Sequence, residues 1–225
     1  LQLSAYENAI VHFEQGLALL PLIPPSAERD RQELDLLVAL GNALIFARGT
    51  ALTVVGDTFR RVLALAERRA DQAQQALALF NLWRHYSDRA DYRQCNDIAD
   101  QLQRLAAQSV NPAVHLTADH ALWTMSLYAG DFMRARHHAE QGIAWYRPEL
   151  HHALTAAHAG HDPGMCCRVF AAYALWYLGY PDQAYQRGQD AVNLARQVAH
   201  PFSLCMALTL GAEVHLLCRD RKSVV

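Results

Sequence analysis

Hydrophobic positions recur along nearly the whole chain with the spacing of an α-helix. Apolar residues return every three or four positions in segments of helical length. Glycine and proline interrupt this periodicity at a few points, among them LPLIPP, ARGT, NPA, AGDF, HDPG, GYPD and HPFS. No segment alternates convincingly between apolar and polar residues, and no Asn-Gly pair indicates a β-hairpin. The pattern therefore predicts an all-α chain.

Several of these segments carry small residues at four-and-three spacing. Ala135, Ala139 and Gly142 follow the turn at YAGD, and Ala184, Gly188 and Ala191 repeat the arrangement after LGYPD. Residues at this spacing lie on one helix face and allow a second helix to approach closely. They predict the contact face of a helical hairpin.

The small-residue face recurs through the chain as a repeat. Its first residue falls at Ala9, Val55, Cys95, Ala135 and Ala184, with separations of 46, 40, 40 and 49 residues. A second type of helix precedes each later copy, as in LLVALGNALIFARG and FAAYALWYLGYPD. The last helix of this type, SLCMALTLGAEVHLL, has no second helix after it. We expect about five and a half hairpins, stacked as a solenoid because one hairpin cannot bury its apolar face alone.

These residues resemble the tetratricopeptide repeat, whose pattern is W-x2-L-G-x2-Y…A-x3-F…P. The resemblance covers nearly the whole chain, but the period is about 40 residues rather than 34. Trp83, Trp123 and Ala172 occupy the usual glycine position. The resemblance implies a right-handed α-α superhelix in which residues 1–225 form a single domain.

The segment from HDPGMCC to FSLCMAL is similar to the C-terminal helical repeats of large bacterial signalling ATPases. In those proteins a winged-helix or nucleotide-cyclase domain comes first, followed by an AAA-like NTPase. The chain begins without Met and stops at RDRKSVV, directly after a helical pattern. We therefore expect an excerpt of a longer protein. By resemblance it is the regulatory region of a signalling ATPase or transcriptional regulator.

In the tetratricopeptide register, the first helix of each hairpin lines a concave groove. The predicted partner-binding residues in that groove are Phe80, Arg84, His120, Thr124, Val169, Tyr173, Trp176, Leu208 and His215. The expected occupant is a protein or peptide, with a small effector as a second candidate. Self-association through exposed ends of the repeat array is a further alternative.

The helix MCCRVFAAYALWYL has a single charged residue, Arg168, and is apolar on every side. A helix of this kind is covered all round in a folded protein. One interpretation is that a tightly wound solenoid or a neighbouring repeat covers Val169, Tyr173 and Trp176. The other is that this face receives an amphipathic or extended peptide, with the aromatic rings as anchors. The sequence leaves both open.

Composition narrows the classes of function. The 225 residues carry a net charge of -2 with acidic and basic residues interleaved, so no basic block indicates nucleic-acid binding. No apolar run reaches the length of a membrane span. The five cysteines lie in apolar helical segments, which favours buried, reduced thiols and a cytoplasmic protein over a disulfide framework.

The stretch HHALTAAHAGHDPGMCC, His151 to Cys167, concentrates candidate metal ligands. Asp162-Pro163 has the form of a helix start, with an N-cap followed by proline, and Asn111-Pro112 and His200-Pro201 repeat it. His158 and His161 lack the short fixed spacing that zinc sites on helices show. We therefore interpret this stretch as an exposed polar loop, and we predict no metal site and no cofactor.

Motifs for catalysis are missing from the sequence. There is no phosphate loop, no G-x-S-x-G elbow and no dinucleotide-binding glycine pattern. Asp97, Asp100 and Asp119 lie in helical segments and are interpreted as parts of solvated faces. No catalytic residue is predicted, and the expected function is binding. The alternative is a metal-dependent or thiol enzyme that uses the His151–Cys167 stretch, with Cys166 as the nucleophile.

Overall fold

The protein is all-α in a computed structural model that describes residues 2–156 and 160–218. No strand occurs in these ranges, which confirms the predicted fold class. The α-helices are α1 Gln2–Leu19, α2 Ala27–Arg48, α3 Thr53–Arg68, α4 Gln72–Ser87, α5 Tyr92–Ala107, α6 Pro112–Tyr128, α7 Phe132–Trp145, α8 Pro148–His151, α9 Pro163–Tyr177, α10 Pro181–Val198 and α11 Pro201–Leu217. Two short 3-10 helices lie at Leu20–Leu22 and His152–Ala156.

The predicted helix starts at Asn-Pro, Asp-Pro and His-Pro are confirmed. Asn111, Asp162 and His200 are the N-caps of α6, α9 and α11, and proline takes the first helical position in each. Each cap side chain accepts a hydrogen bond from a backbone N–H two or three residues further on. These bonds satisfy donors that a helix start otherwise leaves unpaired, and proline has no such donor to satisfy.

Residues 1–109 form the first of two compact units. In this unit, helices α1 to α5 pack in chain order, each against the next. Leu37, Leu44 and Phe59 are fully enclosed in its core. A Cβ atom at Gly41 would lie 2.6 Å from Cζ of Phe59, so only glycine lets the phenyl ring pack against α2 here.

Residues 110–225 form the second unit. Helix α6 pairs with α7, and α9 pairs with α10 and also contacts α7. Helix α9 additionally contacts α6 on one side and α11 on the other. The three helices that open a hairpin therefore lie side by side in the order α6, α9, α11, as neighbouring repeats of a stack do.

The predicted hairpin faces are at the helix contacts. Val55, Cys95, Ala135 and Ala184 are each fully buried, on α3, α5, α7 and α10. Ala9 on α1, the first position in the series, is only partly buried. The long interval before Ala184 contains α8 and a 3-10 helix. The handedness of a superhelix over the whole chain stays a prediction.

Candidate functional site

A cavity of about 580 Å³ opens on the row of helices α6, α9 and α11 in the second unit. The turn between α6 and α7 closes one of its sides. The described residues that line it are Leu127, Tyr128, Gly130, Phe132, Phe170, Tyr173, Tyr177, Met206, Leu210 and Glu213. The site is therefore built by three consecutive hairpin-opening helices and one turn.

Aromatic rings form much of the cavity wall. Phe132 and Tyr177 stack with a centroid separation of 4.3 Å and an angle of 7° between their planes. Phe170 packs edge-on against Tyr173 and tilted against Tyr128. Tyr128 and Tyr177 remain 68% and 50% exposed. Rings held by their neighbours yet open to solvent are suited to contact a partner, because little side-chain freedom remains to be lost on binding.

One carboxylate stands among these apolar groups. Glu213 is the single charged residue among the described lining residues, and it is exposed. The hydroxyl of Tyr173 donates a hydrogen bond to Oε2 of Glu213. Burial, together with the bond to Glu213, raises the pKa of Tyr173. The cavity is thus aromatic with a negative charge at one edge.

Two predicted groove residues belong to the first unit, and both lie on α4. Phe80 is buried and stacks on Trp83 with a centroid separation of 5.7 Å. Arg84 is partly buried, and desolvation lowers the pKa of its guanidinium. Neither residue lines the cavity of the second unit.

Of the seven predicted groove residues in the second unit, Tyr173 alone lines the cavity. Leu208 is exposed elsewhere on α11, and Trp176 is partly buried against the neighbouring core. His215 is buried, and its Nε2 lies 2.8 Å from Nε2 of Gln189. His120 and Thr124 on α6 and Val169 on α9 are also buried.

The difference on α9 has a simple geometric reason. The cavity takes Phe170, Tyr173 and Tyr177, which share a face because they are three and four residues apart. Val169 and Trp176 are each one position earlier, about 100° away around the helix. Val169 packs instead into the core with Met165 and the small residues of α10. The aromatic i, i+3, i+7 spacing in the sequence is the signal that marks this face.

A second feature of this unit is a buried cluster of metal-ligating side chains. His120 of α6, Cys166 of α9 and His161, just before α9, each place one donor atom within 4.8 Å of the other two. Sγ of Cys166 lies 3.5 Å from Nε2 of His120. The rings of His120 and His161 meet at 64° with centroids 5.4 Å apart. Sequence reasoning missed this set because His120 is far from the histidine-rich stretch.

The interpretation of that stretch as an exposed polar loop is wrong for its described part. His151, Thr155, His161 and Asp162 are all buried. Burial and the charge of Arg147 lower the pKa of His151, whose Nδ1 accepts a hydrogen bond from the backbone of Arg147. His158, also considered as a ligand, lies outside the described residues.

Asp162 makes polar contacts with several parts of this region. Its Oδ1 accepts the backbone N–H of Met165, and its Oδ2 accepts the hydroxyl of Tyr146 at 2.7 Å. His152 lies 3.2 Å from the same Oδ2, and the backbone N–H of Asp162 donates to Oγ of Ser203. The carboxylate, which is fully buried, therefore joins α7, α9 and the segment after α8.

Asp119 also differs from expectation. Asp97 and Asp100 are exposed as predicted, whereas Asp119 is buried on α6 and accepts from Nδ1 of His138 on α7 at 2.9 Å. His138 is likewise buried. The pair satisfies two polar groups across the α6–α7 contact, so a structural role accounts for it.

The cysteines are free thiols in two classes. Cys95, Cys166 and Cys167 are buried, as predicted, but Cys205 is exposed and Cys218 is half-buried. Burial raises the pKa of Cys95 to about 11 and that of Cys167 to about 12, and it raises the pKa of Cys166 well above its ordinary value. A neutral, enclosed thiol is a poor nucleophile.

We expect iodoacetamide at mildly alkaline pH to alkylate Cys205 at least about tenfold faster than Cys95, Cys166 or Cys167. The reason is that Cys205 is exposed and the other three are enclosed. Mass spectrometry of tryptic peptides measures each rate, and denatured protein, in which all thiols react, is the control. Reaction at Cys166 as fast as at Cys205 would favour the thiol-enzyme alternative instead.

No family model matches this chain, and no curated protein sequence matches it. In residues 2–156 and 160–218, none of the helices combines the length and the apolar character needed to cross a membrane.

Proposed function

We propose that this chain is a protein-interaction module whose second unit binds a segment of a partner in the aromatic cavity. The observation that carries the proposal is a concave site formed by three adjacent helices, with five aromatic rings in its wall. Clusters of partly exposed tyrosines and phenylalanines are typical of the centres of protein interfaces. The stacked hairpins supply a rigid support for them.

The lining also limits the chemistry of the partner. Apolar or aromatic side chains fit against Phe170 and Tyr177, and a cation fits beside Glu213. The preferred segment is therefore one that presents large apolar residues next to Lys or Arg. Such a peptide gains hydrophobic burial and cation–π contacts with the tyrosine rings.

Selection of displayed peptides on the purified chain tests this proposal. We expect enriched peptides to combine large apolar and basic residues, and Tyr177→Ala to weaken their binding by about tenfold or more, as at an interface hot spot. Glu213→Gln is expected to weaken the peptides with a basic residue and to spare purely apolar ones. Fluorescence anisotropy of labelled peptides measures each dissociation constant.

Tyr180→Ala is the matched control. Tyr180 is a similarly exposed tyrosine three residues away that does not line the cavity, since it packs against Arg136. We expect this variant to bind as the wild type does. The proposal fails if Tyr180→Ala and Tyr177→Ala weaken binding equally, or if no selected peptide depends on the cavity residues.

We propose further, from the resemblance in the repeats, that this binding regulates a bacterial signalling ATPase or transcriptional regulator in the cytoplasm. The repeat spacing supports this role, and the buried free thiols support the cytoplasmic location. In that arrangement an occupied cavity biases the activity of an attached NTPase. A phosphate-loop motif in the same polypeptide would support the role, and a full-length protein without any NTPase motif would overturn it.

A further inference from the structure

We propose that His120, His161 and Cys166 bind one Zn²⁺ ion inside the second unit. Their donor atoms all lie within 4.8 Å of one another, and all three side chains are buried. The set joins α6 to the start of α9. This inference is independent of the aromatic cavity, because none of the three residues lines it.

The distances suit a shared metal ion. Zinc bonds of about 2.3 Å to sulfur and about 2.0 Å to nitrogen, at tetrahedral angles, separate the two donor atoms by about 3.5 Å. Sγ of Cys166 and Nε2 of His120 are already 3.5 Å apart. The donor atom of His161 lies within 4.8 Å of both, so its ring has to move by up to about 1.5 Å to close the site, a displacement within the range of side-chain rotation.

The donor types select the metal. Two imidazoles and one thiolate match the borderline-soft preference of zinc, and the set contains no carboxylate of the kind that Mg²⁺ and Ca²⁺ require. Three protein ligands leave a fourth position for water. The cation replaces the proton of the Cys166 thiol, so one proton is released to solvent and the imidazoles bind as neutral bases.

Neighbouring side chains hold the ligands in place. The ring of His120 stacks on Trp123, which is fully enclosed, with a centroid separation of 4.6 Å. The backbone N–H of Cys166 donates to the carbonyl oxygen of Asp162, the N-cap that follows His161. Fixed ligand orientation of this kind lowers the cost of binding a metal.

Zinc content of the refolded protein is the direct test. The whole chain is unfolded in a denaturant together with a chelator, and it is then refolded with zinc. Unfolding is needed because buried ligands restrict entry of the ion into the folded protein. After gel filtration, we expect mass spectrometry to show about one zinc ion per chain. When Ca²⁺ replaces zinc during refolding, we expect no bound calcium. Cobalt in the same position should give the charge-transfer absorption of a thiolate ligand.

Cys166→Ser and Cys167→Ser form a matched pair of variants. Both residues are buried neighbours on α9, but Sγ of Cys167 donates to the carbonyl oxygen of Gly164 and is outside the cluster. We expect Cys166→Ser and His161→Gln to lose at least about nine-tenths of the bound zinc, and Cys167→Ser to keep it. Zinc should raise the melting temperature of the wild type and of Cys167→Ser only.

Three results overturn the proposal. They are a refolded wild type that holds no stoichiometric zinc, a Cys166→Ser variant that keeps the zinc, and a cobalt-loaded wild type that lacks thiolate absorption. The first and third are measured on the wild type, so they decide the matter even if a variant does not fold. Circular dichroism shows which variants retain the helical content of the wild type.

Discussion

Replacing Asp162 with alanine is expected to lower the free energy of unfolding of the second unit by about 3 kcal/mol. The carboxylate caps α9 and also accepts the hydroxyl of Tyr146, and it is fully buried. Loss of the cap costs about 1 kcal/mol, and leaving the Tyr146 hydroxyl without its acceptor costs about 1–3 kcal/mol. Urea denaturation followed by circular dichroism measures the change.

Two other substitutions separate the contribution of the Tyr146 hydrogen bond to stability from that of the helix cap. Asp131 caps α7 in the same way, through the backbone N–H of Arg134, but it is exposed. Asp131→Ala should therefore cost only about 1 kcal/mol. Asp162→Asn keeps one cap oxygen and supplies an amide that can donate to Tyr146, so it should cost less than Asp162→Ala. If Asp162→Ala and Asp131→Ala lower the free energy of unfolding equally, the hydrogen bond from Tyr146 to Asp162 does not contribute to stability.

Gly142→Ala is expected to destabilise the second unit by about 2 kcal/mol, because the added methyl group overpacks a helix contact. A Cβ atom there would lie 2.5 Å from Cζ3 of Trp123 and 3.2 Å from Cβ of Cys167. The indole is fully enclosed, so it cannot move aside into solvent. The same urea denaturation measures the loss.

Gly188 offers the opposite case on α10. A Cβ atom at Gly188 would meet only Val214, at 3.7 Å, which is an ordinary contact. Gly188→Ala should therefore stabilise the unit by up to about 1 kcal/mol, the difference in helix propensity.

In a Trp123→Phe background the cost of Gly142→Ala should fall, because the ring atom in its path is gone. If both Gly142→Ala and Gly188→Ala stabilise the unit, the conclusion that Gly142 has no room for a methyl group is wrong.

The two glycines illustrate what the sequence determines in advance. Their spacing from Ala139 and Ala184 marks the hairpin faces, and the structure places them there. Spacing alone does not show which glycine is indispensable, since that depends on the side chain opposite. Trp123 lies against Gly142, whereas the smaller Val214 lies against Gly188.

Helix starts were predictable for a related reason. An Asn, Asp or His cap followed by proline is a local arrangement, and local bonds do not depend on the rest of the fold. The histidine–cysteine cluster is the contrary case. His120 and Cys166 are 46 residues apart and become neighbours only when α6 packs beside α9. Periodicity indicates that these helices are buried, and it does not specify which polar atoms meet.

The aromatic cavity lies between these extremes. The sequence correctly marks α9 as a helix that is apolar on every side, and it correctly predicts Tyr173 as a residue of the open face. The rotation of that helix differs by one residue from the tetratricopeptide register, so Phe170 and Tyr177 line the site where Val169 and Trp176 were expected. Errors of one position are decisive on a helix, because each residue turns the face by about 100°.

The turn between α6 and α7 forms one wall of the cavity through Gly130 and Phe132. Gly130 has a positive φ of 78°, and it lies twelve residues before Gly142, which corresponds to about 18 Å along a helix. Under the proposed function, insertions or exchanges in this turn therefore alter the preferred peptide while the helix contacts stay intact. The proposed function thus implies that homologous copies of such a chain can diverge in the peptide they bind while the helical scaffold stays the same.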